Sequence, residues 1–107
     1  MTVWALRLDP EALTNPDADL RYLVPEALAG GSDGALREDA YDYEPETGAM
    51  LLWFLSDAPD ALTRIVAFLH TARPMGNDLR PAASVWTQDG SALRCVWRPS
   101  DTAPAAQ

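Results

Sequence analysis

The stretch AMLLWFLS, residues 49 to 56, is almost wholly apolar, and a folded chain has to hide such a run from water. It is far too short to span a bilayer, which takes about 20 apolar residues. At this length, and bounded by turn residues, it reads as a strand buried in a sheet. Directly after it, SDAPDALTRIVAFLHTAR carries Leu62, Ile65, Val66 and Leu69 at the spacing of one helical face, the strongest periodicity in the chain. Asp57 is placed as the cap of that helix and Pro59 in its first turn. A buried strand followed by a helix with one apolar stripe requires a sheet on which the helix can lie.

The remaining elements assemble around this pair. VWALRL alternates, putting Trp4, Leu6 and Leu8 on one face and Val3, Ala5 and Arg7 on the other, as in a strand with one buried side. NPDADLRYLV offers Asn15 as a cap, Pro16 at the first helical position and acids in the first turn, so a helix is expected from there to a stop or kink before Pro25. GGSDG, with glycines at 30, 31 and 34, is a flexible turn. ALREDAYDYE alternates weakly and pairs with the buried strand through EPETG, a hairpin connection with Pro45 and Gly48. ASVWTQDGSALRCVWRP reads as two strands joined at Asp89 and Gly90, with Leu93, Cys95 and Trp97 sharing a face.

The order β, α, β, β, α, β, β over residues 2 to 98 resembles the ferredoxin-like plait with an added terminal strand. That resemblance implies an α+β fold, a mainly antiparallel sheet ordered 4-1-3-2 and two helices on one face, and it implies no function. A chain of 107 residues supports one core. A single α+β domain is therefore expected over residues 1–98, followed by a disordered tail over 99–107.

Composition narrows the partner. A net charge of −8 repels nucleic-acid phosphates and anionic lipid and favours a basic protein. All eight basic residues are arginine, alanine is abundant and Ile65 is the sole isoleucine, the pattern codon bias in a GC-rich bacterial genome would leave. Cys95 is the single cysteine, which rules out an internal disulfide and suits a reducing compartment. With no basic segment leading into an apolar core at the N-terminus, the protein is expected to be cytoplasmic.

Six acids stand between Asp33 and Glu46, and in the implied strand order the strand that carries most of them lies at an edge. Edge strands offer unpaired backbone groups, and acids along one keep other chains from adding to it. One or two charges suffice for that, so the surplus, together with Tyr41 and Tyr43, points to recognition. Glu38, Asp39, Tyr41, Asp42, Tyr43, Glu44 and Glu46 are accordingly the candidate partner-binding residues.

Other chemistry has no constellation to stand on. The one histidine, His70, and Cys95 fall on separate elements without ligand spacing, and no metal site, nucleophilic pair or phosphate loop is recognisable. Trp4, Trp53, Trp86 and Trp97 read as large sheet-packing residues, with Trp86 the one that could sit at an interface. The expectation is a non-enzymatic, cofactor-free, acidic protein-binding module: a bacterial immunity protein or antitoxin that inhibits a cognate toxin by electrostatic and aromatic contacts. The competing expectation is a dimeric α+β barrel, as in small monooxygenases, isomerases or ligand sensors, in which two sheets face each other.

Overall fold

In a computed structural model, which describes residues 1–99, five strands form one antiparallel sheet covered by two helices. The strands are β1 (Thr2–Leu8), β2 (Arg37–Tyr43), β3 (Met50–Ser56), β4 (Ala83–Asp89) and β5 (Ala92–Trp97), in the order β2-β3-β1-β4-β5. The apolar run is thus central, with β1 on one side and β2 on the other. But for Pro99, the tail expected over 99–107 lies outside the described residues.

The pleat gives β1 and β3 two different faces. Leu6, Leu8, Met50, Leu52 and Phe54 are buried on the face that the helices cover, and Val85 of β4 and Trp97 of β5 join them. Both helices close this same cluster: α1 (Leu20–Gly30) with Leu20, Val24 and Leu28, and α2 (Ala61–Thr71) with Ala61, Ile65 and Leu69. Leu62 and Val66 flank it half-buried, so the apolar stripe read from the sequence is the stripe that packs. Val3, Leu51, Trp53, Leu55 and Trp86 point from the opposite face and are outside the cluster.

Several expectations are corrected. α1 does not start at Asn15, because both backbone groups of that residue are engaged by the fully buried Asn77: Oδ1 accepts from the Asn15 N–H at 2.7 Å and Nδ2 donates to the Asn15 carbonyl at 2.9 Å. A turn around Asp17, whose Oδ1 accepts from the Asp19 N–H at 2.8 Å, leads into the helix instead. Pro25 does not stop it. It is buried in the second turn, where the missing N–H forfeits a single hydrogen bond and the apolar packing of Val24 and Leu28 carries the helix on. The N-cap position of α2 falls on Asp60 and not Asp57, and the Asp60 carboxylate accepts from Arg64 Nε at 3.1 Å and from no backbone N–H of the first turn; the Ser56 hydroxyl, which accepts from the Ala58 N–H at 3.0 Å, turns the chain first.

The last hairpin turns at Gly90 and Ser91, one residue later than expected, with Gly90 at φ +65°. A register shift between Val85 and Trp86 leaves Val96 as the extra residue, so Trp97 enters the core while Cys95 lies opposite Trp86 on the uncovered face. Leu93, Cys95 and Trp97 therefore do not share a side.

Asn77 is the fastener of the irregular segments, since it ties the approach to α1 to the approach to β4 and also donates to the Pro74 carbonyl at 3.1 Å. Asn77→Ala strips the Asn15 N–H of its acceptor and removes one of the two donors to each of the Asn15 and Pro74 carbonyls, and is expected to cost about 2 kcal/mol. Asn77→Asp sets a carboxylate against two carbonyls and costs more. Urea unfolding of the two variants beside the wild type measures both.

Candidate functional site

All seven residues of β2 are exposed, and the strand has a partner on one side only. The pleat sorts its side chains. Glu38, Tyr41 and Tyr43 lie opposite Phe54, Leu52 and Met50 and so rise on the helix side, whereas Arg37, Ala40 and Asp42 lie opposite Leu55, Trp53 and Leu51 on the uncovered face. A bulge makes Asp39 the extra residue between the two registers. The candidate residues whose side the register fixes therefore do not form one patch but two, back to back.

On the helix side the tyrosines are ordered by α1. Tyr22 meets Tyr41 edge to face, with ring centres 5.7 Å apart, and Tyr41 meets Tyr43 in the same way at 6.2 Å. The Arg21 guanidinium lies 4.5 Å from the Tyr22 ring centre and 5.5 Å from that of Tyr41, and it donates to the Tyr43 hydroxyl at 3.3 Å. Hydrogen bonding to Tyr22, then to Tyr43, holds the Arg21 proton more tightly than usual. Tyr41, and secondarily Arg21, lower the Tyr22 phenol, while Tyr22 pushes Tyr41 up. The result is a stiff aromatic ledge beside the strand. Between it and β2 is a notch of about 100 Å³ lined by Arg21, Tyr22, Pro25, Glu38, Asp39, Ala40 and Tyr41.

Glu44 belongs to the other side and is already engaged. Its carboxylate accepts from Arg7 Nε at 2.8 Å and Nη2 at 3.0 Å, and from the Thr47 hydroxyl at 2.7 Å. Arg7 stands on β1, so this bidentate pair clips the β2–β3 hairpin to the centre of the sheet across Leu51. Hydrogen bonds from Arg7, then Thr47, pull the Glu44 carboxyl down to about 2, and Glu44 in turn raises Arg7. Glu38, Asp39, Asp42 and Glu46 differ: among the described residues none of them enters an ion pair.

Sequence reasoning missed Tyr22, Arg21 and Arg7. Arg7 had a signal, as the one charge on an otherwise apolar strand. Tyr22 and Arg21 had none, since what brings them to β2 is the tertiary packing of α1 beside that strand. His70 and Cys95 are both half-buried, and no group of three His, Cys, Asp or Glu that could hold a metal ion occurs among the described residues. No helix among them is long and apolar enough to cross a membrane. A wider groove of about 320 Å³ runs between the end of α1 and α2, where Arg64 donates to the Ser32 carbonyl at 3.3 Å.

The depressed carboxyl of Glu44 sets a pH dependence. A group whose pKa is lowered on folding stabilises the fold above its unfolded value, near 4.5, and that stabilisation is lost as pH falls toward about 2. Because the pair is partly exposed, the contribution at neutral pH is about 1 kcal/mol. Glu44→Gln is expected to be less stable than the wild type by that amount at neutral pH, the gap closing as the pH approaches the folded value. Urea titrations of both proteins through this window check it.

The chain matches no protein-family model, no curated protein and no solved structure.

Proposed function

We propose that this chain is a small acidic protein-binding module that docks a basic protein along the β2 edge, in the manner of a bacterial immunity protein or antitoxin covering a cytoplasmic toxin. The observation that carries this reading is the strand itself: fully exposed, at the edge of the sheet, with Glu38, Asp39, Asp42 and the nearby Glu46 outside any ion pair among the described residues and a braced tyrosine ledge beside it. Its unpaired backbone groups can accept one more strand. The carboxylates of Glu38, Asp39, Asp42 and Glu46 steer a cationic surface inward, and the tyrosines give contact area at little entropic cost. A toxin that cleaves nucleic acid fits this chemistry, because the site that holds phosphate is itself basic.

The proposed scaffold is a ferredoxin-like plait with a fifth strand added beside β4. In support, the first four strands run 2-3-1-4 across the sheet with every neighbour antiparallel, and one helix follows β1 and another β3. In such a scaffold the module works by surface complementarity, without a cofactor.

The test starts from a basic protein retained on the immobilised chain from an extract of the source organism, followed by binding kinetics with the isolated pair. The Glu38→Lys/Asp39→Lys double variant and Tyr41→Ala are each expected to weaken binding about tenfold or more, and wild-type association slows as salt rises. Glu44→Gln, whose carboxylate already belongs to Arg7, changes affinity far less. Affinity unaltered by the double reversal overturns the reading.

A further inference from the structure

The face of the sheet that no helix covers among the described residues has a symmetry of its own. Reading straight across the strands from β2 to β5, the register places Ala40, Trp53, Ala5, Trp86 and Cys95 in one row. The row is nearly palindromic: small, tryptophan, alanine, tryptophan, small. Ala5 at its centre is fully buried between the two indoles. The next row runs Asp42, Leu51, Arg7 and Ser84. Arg98 follows Trp97, just beyond the paired residues of β5, and lies with its guanidinium 5.7 Å from the centre of the Trp86 ring, so that alternation continued by one residue sets it at the β5 end of this row.

We infer that this face is covered by a second copy of the chain, related by a two-fold axis parallel to β1. Rotation about such an axis exchanges the left and right ends of each row. Trp53 of one copy then faces Trp86 of the other, twice, while Ala5 lies on the axis beneath the indoles, its small side chain leaving them room as the sheets approach to about 10 Å. In the second row Asp42 faces Arg98 of the second copy, again twice. Arg7 meets its own counterpart, but each comes already neutralised by Glu44.

Charge and area both favour this occupant. The chain carries −8 overall, yet this face sets Arg7, Arg37 and Arg98 against Asp42 and Glu44, so two copies meet where they repel least. A basic partner has more to gain at the acidic edge. Five strands about 4.8 Å apart and about 24 Å long present roughly 500 Å² in projection, and two such faces reach the ~1,000 Å² at which specific interfaces begin. Face-to-face sheets pack with strand directions within about 30° of one another, which the shared direction of the two β1 strands satisfies, and their inner side chains interdigitate in a core about 10 Å thick. The pairing engages Asp42, one of the carboxylates of the proposed partner site, but leaves Glu38, the outward edge of β2 and the tyrosine ledge free, so Trp53→Glu tests it without touching that site.

The test is the mass of the full chain in solution, by sedimentation equilibrium across micromolar concentrations. Twice 11.7 kDa is expected for the wild type, and a single-chain mass for Trp53→Glu with an unchanged circular-dichroism spectrum. Should Trp53→Glu fail to fold, the charge swap decides: Asp42→Arg alone raises the dimer dissociation constant about tenfold, and adding Arg98→Asp restores it to within about threefold of the wild type. A wild-type monomer throughout the range overturns the inference. So does a dimer that ignores the charge swap, or one that Tyr41→Ala dissociates, because the contact would then lie on the β2 edge.

Discussion

The antiparallel register of β3 between β1 and β2 is the constraint from which the other features follow. With Leu52 opposite both Leu6 and Tyr41, and Trp53 opposite both Ala5 and Ala40, every side chain on three strands is assigned a side. A slip of one residue would send Leu52 and Phe54 to water and Leu51, Trp53 and Leu55 to the helices. Both sets are large and apolar, so alternation in hydrophobicity does not discriminate between them on β3 alone. What discriminates is β1, where Arg7 and Ala5 occupy the uncovered side and Leu6 and Leu8 the covered one. Burying Arg7 beneath a helix would strand a charge, so β1 fixes its own orientation and hands it to β3. The Arg7–Glu44 pair then extends that choice to β2.

Seen this way, Glu44 and its acidic neighbours belong to different causes. Glu44 holds the hairpin in register, with Thr47 and the positive φ of Gly48 shaping the turn around it. Glu38, Asp39, Asp42 and Glu46 hold nothing together among the described residues, and their density along a free edge costs self-repulsion that the fold does not require. Protection of the edge against other strands is served by any one of them. The tyrosines sharpen the contrast, because Tyr41 and Tyr43 are exposed yet fixed by edge-to-face contacts and by Arg21. A side chain ordered in advance of contact loses little on being contacted.

What the sequence made legible was decided by periodicity. α2, the two faces of β1 and the burial of β3 come from repeating patterns that several residues support at once, and the two-residue turn between β4 and β5 comes from a glycine that its φ requires. What stayed hidden rests on single residues acting over long sequence separation. Asn15 carries every local mark of a helix cap, but its backbone is taken by Asn77 from the other half of the chain. Pro25 carries the mark of a helix stop, overridden by burial. The bulges at Asp39 and Val96 have no local signature, and each reverses the side taken by the residues beyond it. The second of these removed Trp97 from the company of Cys95. The first moved Glu38 to the side of Tyr41 and Tyr43, in a candidate site that ordinary alternation already splits between two faces.

That split gives the two surfaces a geometric relation. Rotation about an axis along β1 carries β2 of one copy to the flank opposite its own, over the β5 margin of the other, so a pair built on the tryptophan rows holds its two acidic edges on opposite sides, both open. A partner with one basic surface would find two equivalent berths too far apart to compete. A partner that is itself two-fold could engage both, and the second contact would then form at the high effective concentration set by the first. Neither arrangement needs a residue beyond those the pleat already sorts: carboxylates and tyrosines outward at the edge, indoles and a nearly balanced set of charges on the face.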